Sequence, residues 1–235
     1  MGGLLACALT GAITRHLDLF SGIGGFALAA RWAGIETVGF CEIEDFPRKV
    51  LAKNFPGIKI HEDIKDLNGE EYRNIDLITG GFPCQPFSTA SRGRKTAKDW
   101  WPEMFRVVRE SRPRFVLGEN VQKKPIERAA RQIESIRYGA FTICQSAHRK
   151  GSWHRRNRWF FVAHPNDEGE FQSRFNAEMA LLQGLENSLW QWPDIAGAIR
   201  VFNGIPHRVD RLKSLGNAIV PQVAYEIMKA IKLAS

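Results

Sequence analysis

The feature that most constrains the fold is an alternation through the first 163 of 235 residues, where short β-type runs take turns with segments of helical period. Ile13 to Leu19 reads as a strand, Gly25 to Ala33 as a helix stopped by Gly34, and Glu36 to Glu42 as a second strand. Asp45 to Asn54 follows as a helix that tolerates Pro47 in its first turn. Ile75 to Thr79 and Arg114 to Leu117 are further strands, separated by a helix near Pro102 to Ser111 that Pro113 ends. A helix at about Pro125 to Tyr138, then strands near Phe141 to Ser146 and Arg158 to Ala163, complete the series. Repeated βα units predict an α/β fold, a mostly parallel sheet with helices on both faces.

Residues 1–163 are therefore expected to form one core, within the size that a single domain can bury. The stretch 164–203 breaks the rhythm, with mixed polarity, Trp190 and Trp192, and no clean period; it reads as a small variable region. Residues 204–235 should return to the core, because Val223, Ile227, Ala230 and Ile231 give Pro221 to Leu233 an apolar helical stripe.

Charge locates a partner. Between Gln85 and Phe160 there are 18 lysines and arginines against 6 acidic residues, whereas the rest of the chain holds 15 against 19. A solvated face is the plain reading of any such excess, but its concentration, with a pI near 9.5, favours a polyanion. No apolar run approaches the ~18 residues that a membrane span needs. The opening MGGLLACALTGAITRH lacks the basic start of a secretion signal and reads as a short leader, so cytoplasmic residence is expected. The four cysteines, at 7, 41, 84 and 144, have no zinc spacing and no disulfide density, so no metal is called for. Cys7, Cys41 and Cys144 sit in apolar surroundings and read as small buried hydrophobes.

LDLFSGIGGF places Gly22, Gly24 and Gly25 between a strand and a helix, where an open α/β sheet forms its ligand crevice. A tight turn without ligand would look the same. Two acids follow the next strand ends, Glu42 in GFCEIED and Asp63 in HEDIKD. The first is placed to hold a ribose diol and the second to accept from an adenine amino group, which suits a nucleoside cofactor better than a bare phosphate. GGFPCQPFS then sets Cys84 on a stiff, proline-flanked loop at the same sheet edge. Gly118-Glu119-Asn120-Val121 brings a carboxyl group there, and His154-Arg155-Arg156-Asn157-Arg158 leads guanidinium groups into the strand WFFVA.

Together and in this order, DLFSGIGGF, Glu42, Asp63-Ile64, GFPCQPFS, Gly118 to Val121, HRRNR and GNAIVPQVAYEI resemble the DNA cytosine-5 methyltransferase family, from Leu17 to Ile227. The wording is similar to phage- and prophage-encoded members. The resemblance implies a Rossmann-like S-adenosylmethionine-dependent fold with a reduced target-recognition region, and double-stranded DNA as substrate. It makes Cys84 the nucleophile on cytosine C6, Glu119 the contact to N3 and the exocyclic amine, and Arg158 with Arg156 the contacts on the O2 side. For S-adenosylmethionine it implies Phe20, Gly22, Ile23, Gly24, Gly25, Glu42, Ile43, Asp63, Ile64, Pro83, Asn217 and Ala218. Trp100 either closes one wall or packs within its helix. Gln85 and Ser88 would face the stack emptied by base flipping; Arg92, Arg94 and Lys95 would meet phosphates.

Two departures stand out. His154 and Trp153 occupy positions where the family usually has Gln and Pro, and the 40 residues from His164 to Asn203 replace a larger target-recognition domain. Specificity is then relaxed or supplemented by a protein partner or self-association. Three rival readings are a tRNA cytosine-5 methyltransferase of the same fold, a catalytically silent DNA-binding homologue, and a base modifier transferring another group. The wording PCQPFS is closer to the DNA enzymes, and no catalytic position is lesioned.

Overall fold

The computed structural model describes residues 13–83, 99–146, 157–165, 169–185 and 218–235. Among these the elements run β1 (Arg15–Leu19), α1 (Gly25–Trp32), β2 (Glu36–Cys41), α2 (Asp45–Asn54), β3 (Lys59–His61), a 3-10 turn (Gly69–Tyr72) and β4 (Leu77–Gly80). Then come α3 (Trp101–Ser111), β5 (Phe115–Asn120), α4 (Lys123–Glu134), β6 (Tyr138–Ser146), β7 (Asn157–Pro165), α5 (Glu170–Leu185) and α6 (Pro221–Ala234).

The strands form one sheet in the order β3-β2-β1-β4-β5-β7-β6. The first five are parallel, and β7 lies antiparallel to both β5 and β6. The chain steps outward from β1 to β3, then restarts at β4 on the other side of β1. That reversal opens a crevice beyond the carboxyl ends of β1 and β4. Register levels those ends: Leu19 lies opposite Cys41 and Gly80, Cys41 opposite His61, and Gly80 opposite Gly118. Residues 20, 42, 62, 81 and 119 consequently emerge on one rim.

Adjacent strand residues face opposite layers. Leu77, Leu117 and Phe160 join α1, α5 and α6 in one core, while Ile78, Val116 and Phe161 join α3 and α4 in the other. Burial of each large side chain contributes roughly 1.5–3 kcal/mol. In α3, Trp101, Met104, Val107 and Val108 line the buried face, and Pro113 bars the helix from continuing past Arg112.

The α/β expectation holds, and the structure corrects details. The expected strand Arg114 to Leu117 is Phe115–Asn120, because β7 extends the ladder and pairs Glu119 with Phe160 and Asn120 with Trp159. The helix expected to reach Tyr138 ends at Glu134; Arg137, at φ 71, turns the chain into β6. Cys41 is buried as expected, but Cys144 is exposed, since β6 is an edge strand with solvent beside it. Cys7 lies outside the described residues. Within 164–203, where no period was apparent, α5 buries Phe171, Phe175, Met179 and Leu182 against the sheet and α6. The Arg174 Nε–H also donates to the Ala234 carbonyl at 2.9 Å. Among the described residues, no helix is long and apolar enough to cross a membrane.

Candidate active site

The loop from β1 to α1 is built by backbone conformations that ordinary residues avoid. Gly22 and Gly24 have φ of 53 and 87, and Phe20 adopts φ 53, which is costly for a bulky side chain. The loop is held in this shape at several points. The Ser21 amide donates to the Cys41 carbonyl at 3.0 Å and the Gly24 amide to the Ser21 carbonyl at 2.9 Å. A Cβ on Gly25 would lie 2.6 Å from Ile219 Cγ2, so only glycine lets the lead-in to α6 close against α1. The expected return of the C-terminal helix to the first βα unit is thus seen through Ile219, next to Ala218.

Beneath the loop, β1 carries buried His16 and Asp18. The Thr79 hydroxyl donates to Asp18 Oδ1 at 2.7 Å, so its oxygen must accept from His16 Nε2–H, also at 2.7 Å. His16 Nδ1 is then left to accept from the Thr37 hydroxyl at 2.9 Å. Burial pushes the His16 pKa down to about 3, which agrees with this neutral tautomer. Burial also raises Asp18 well above the usual carboxylate range, despite the opposing Thr79 hydrogen bond.

Glu42 follows β2 and is itself buried. Its Oε2 accepts the Gly22 amide at 2.7 Å and its Oε1 the Glu44 amide at 2.8 Å, so one carboxylate ties the glycine loop to its own. Desolvation raises its pKa, and those two amides oppose the rise. Ile43 beside it is 60% exposed, an apolar side chain presented at the rim. After β3, Asp63 Oδ1 accepts the Lys65 amide at 3.0 Å, and Ile64 is buried. The Lys65 ammonium sits 5.6 Å above the Trp100 ring, which places Trp100 beside this loop as well as in the α3 core.

The rim beyond β4 and β5 is assembled from three elements. Glu119 on β5 and Arg158 on β7 meet through Oε1 and Nε at 2.8 Å, with only 12% and 16% of their side chains exposed. A Cβ on Gly81 would come 3.0 Å from Glu119 Oε2, so the missing side chain makes room for that carboxylate. Asn120 Nδ2 donates to the Phe82 carbonyl at 2.9 Å, and the Trp100 amide donates to the Pro83 carbonyl at 3.2 Å. Phe82 is thereby tied to the residue that follows Glu119, and Pro83 to the N-terminus of α3. Cys41 is held as the neutral thiol, because burial and the nearby Glu42 push it up to about 12.

Phe20, Gly22, Ile23, Gly24, Gly25, Glu42, Ile43, Asp63, Ile64, Pro83, Trp100, Glu119 and Arg158 all fall on this one edge. Cys84, Gln85, Ser88, Arg92, Arg94, Lys95, Arg156 and Asn217 lie outside the described residues. Sequence reasoning did not single out Gly81 or the side chain of Asn120. Each was legible only as a neighbour of a motif, since its role depends on a partner 38 residues away.

The sequence model of the C-5 cytosine-specific DNA methylase family matches residues 14–181. The chain belongs to this family. Among known family relatives, it is 39% identical over 116 residues to the type II methyltransferase M2.BsuMI of Bacillus subtilis (strain 168), covering 46% of this chain and 29% of that protein. It is 32% identical over 164 residues to the type II methyltransferase M.HhaI of Haemophilus parahaemolyticus, covering 65% and 50%. The fold is similar to that of a candidate DNA modification methyltransferase encoded within a prophage of Escherichia coli, with TM-score 0.54, 33% identity, and 65% of this chain and 47% of that chain covered. The chain spans half or less of the length of these relatives.

Proposed function

We propose that the protein is a DNA cytosine-5 methyltransferase that uses Cys84 as a covalent nucleophile on a flipped cytosine and S-adenosylmethionine as donor. The observation that carries this reading is the Glu119–Arg158 pair set against Gly81 at the entry to the Cys84 loop. Carbon 5 of cytosine is a poor nucleophile until C6 has been attacked. Addition of the Cys84 thiolate to C6 shifts electron density toward N3 and C5. Glu119 would contact N3 and the exocyclic amine, and Arg158 with Arg156 the O2 side, so the pair now closed on itself would open around the two edges of the base. Once C5 has taken the methyl group that the bound donor would supply, removal of the C5 proton would let the Cys84 thiolate leave and restore the aromatic ring.

The residues present fit an adenosine-bearing donor. Gly22 and Gly24 let backbone approach it, Glu42 offers free lone pairs for a ribose diol, and Asp63 lies one strand further for an adenine amino group. Ile43 and Ile64 supply apolar surface, with Trp100 as a wall; Asn217 and Ala218 would face it from the lead-in to α6. When bound, S-adenosylmethionine supplies an electrophilic sulfonium methyl group.

Gln85 and Ser88 would face the emptied stack, and Arg92, Arg94 and Lys95 the phosphates. We keep the division into a catalytic core (1–163), a target-recognition region (164–203) and a returning segment (204–235). Because α5 is packed into the core, we assign base reading mainly to 186–203. So short a reading element favours a protein partner or self-association, and the type II relatives favour a restriction-modification role in the cytoplasm.

The test is covalent trapping on duplex DNA containing 5-fluorocytosine, whose C5 substituent cannot leave as a proton. The unaltered protein should form an irreversible adduct, and Cys84→Ala should form none while still binding the donor. Adduct formation by the Ala variant would overturn the assignment, and transfer to tRNA in place of DNA would shift the substrate to the RNA-acting branch.

A further inference from the structure

Between β3 and the 3-10 turn, the chain that contains Asp63 has no ladder to hold it. It is held from behind by Arg106, in the middle of α3. Arg106 Nη2 donates to the Ile64 carbonyl at 2.6 Å and Nη1 to the Leu67 carbonyl at 3.1 Å. Glu103 and Glu110 fix the same guanidinium, at 3.2 Å and 2.8 Å, with Arg106 27% exposed. Glu110 Oε2 also accepts the Gly69 amide at 2.9 Å. One charged cluster thus pins three backbone groups of an irregular segment, using the planar fork that a lysine lacks.

The planar peptide links this clamp to the crevice. In a trans peptide, C=O and N–H point in opposite directions. The Ile64 carbonyl and the Lys65 N–H belong to one such unit. Arg106 draws the carbonyl toward α3, which turns the N–H the other way, where Asp63 Oδ1 accepts it at 3.0 Å. We infer that Arg106 is a positioning residue for Asp63, setting the carboxylate's direction through the Ile64–Lys65 peptide and so the selectivity for the 6-amino group of adenine. This rests on the donor reading above, in which Asp63 accepts from that group.

The discriminating measurement is a ratio of affinities. Calorimetry on the full chain gives Kd for S-adenosylhomocysteine and for its inosine counterpart, which carries oxygen at position 6. The unaltered protein should prefer the amino compound by about tenfold or more, as expected for a hydrogen bond to a charged group. Arg106→Lys keeps the charge but cannot span both carbonyls, and should cut that preference at least fivefold while the inosine compound binds within about twofold of its original Kd. In an Asp63→Ala background, which removes the acceptor, Arg106→Lys should change the ratio no further, because both act on the same contact. Arg109→Lys, on the exposed face of the same helix, should leave the ratio unchanged. If Arg106→Lys weakens both compounds by the same factor, or neither, the inference is overturned. Should that variant fail to fold, Glu110→Gln, which loosens the guanidinium and Gly69 together, must lower the ratio in the same direction. An unaltered protein that binds both compounds equally, or neither, refutes the donor reading itself and leaves the clamp as architecture.

Discussion

Gly118→Ala is the substitution on which the packing behind the catalytic rim is most exposed to test. A Cβ at Gly118 would lie 2.0 Å from Phe161 Cε1 and 2.7 Å from both Cδ1 and Cζ. Ordinary carbon contacts lie near ~3.5–4.0 Å, so the ring must move by roughly 1.5 Å. It has little freedom to do so. Phe161 is fully buried, stands edge-on to Trp101 at 5.4 Å, and is the register partner of Gly118 across β5 and β7. Part of the displacement must therefore come from the strand pair itself. Overpacking of a filled core costs about 1–3 kcal/mol, and the upper half of that range is expected here. Urea unfolding at pH 7.5 should show a loss of about 2–3 kcal/mol. Phe161→Leu, which removes the offending edge, should make the double variant at least about 1 kcal/mol more stable than additivity predicts. Glu119 and Arg158 are carried by the same two strands, so trapping on 5-fluorocytosine DNA should slow by about tenfold or more even where the variant is folded. Stability within about 0.5 kcal/mol of the original, or strict additivity with Phe161→Leu, would refute the reasoning.

Glu42→Ala removes the acceptor for the Gly22 and Glu44 amides together with the proposed ribose contact. Calorimetry should show S-adenosylmethionine binding weakened by roughly 1–3 kcal/mol, and an unchanged affinity would confine Glu42 to holding its loops. His16→Gln addresses pH. Because His16 titrates at about 3 in the fold and near 6.5 when unfolded, the unfolded chain takes the proton first. The stability attached to the neutral ring is whole above ~6.5 and is lost as pH falls toward 3, amounting to about 2 kcal/mol at pH 5. Asp18 acts with the opposite sign, since its raised value favours proton uptake by the folded state as pH falls. Comparison with the Gln variant isolates the histidine: between pH 7.5 and 5 the variant should lose about 2 kcal/mol less than the unaltered protein, and parallel curves would sink the assignment.

What the sequence made legible depended on periodicity and on motifs that stay local. Asp45–Asn54 was readable to the residue because Asp45 starts it and its apolar positions repeat regularly. The rim was readable because each acid or glycine directly follows a strand, and parallel register then places all strand ends together. β3 was legible only through Asp63, read as following a strand end, because three residues are too few to show an alternation. In α5, Phe171, Phe175, Met179 and Leu182 do follow helical spacing, but Ala177, Ala180 and Leu181 blur the opposite face. Arg106 could not have been found this way. Its carbonyl partners lie 42 and 39 residues earlier, and nothing local distinguishes it from Arg109 three positions on. The His16–Thr37–Thr79–Asp18 chain has the same character, with four polar residues on three strands that acquire meaning only from their pairing.

The electrostatics of the rim explain why that chain is tolerated in the core. Asp18, Cys41, Glu42 and Asp63 all fall at the carboxyl ends of β1, β2 and β3, where full ionisation would gather negative charge in a space of low dielectric. Asp18 and Cys41 are instead pushed toward their neutral forms by burial and by the neighbouring Glu42. His16, uncharged as well, hydrogen-bonds the Thr79 hydroxyl without adding a cation to offset them. Burial raises Glu42 as well, but two backbone amides meet its oxygens, and hydrogen bonds of that kind oppose the rise. The buried layer of His16, Asp18 and Cys41 is thus driven toward its neutral forms. On the far side of β4, the Arg158 charge is met by Glu119 at 2.8 Å. On the reading proposed above, the acids beyond β1 to β3 would face the cofactor, and the Glu119–Arg158 pair beyond β5 and β7 would face the base.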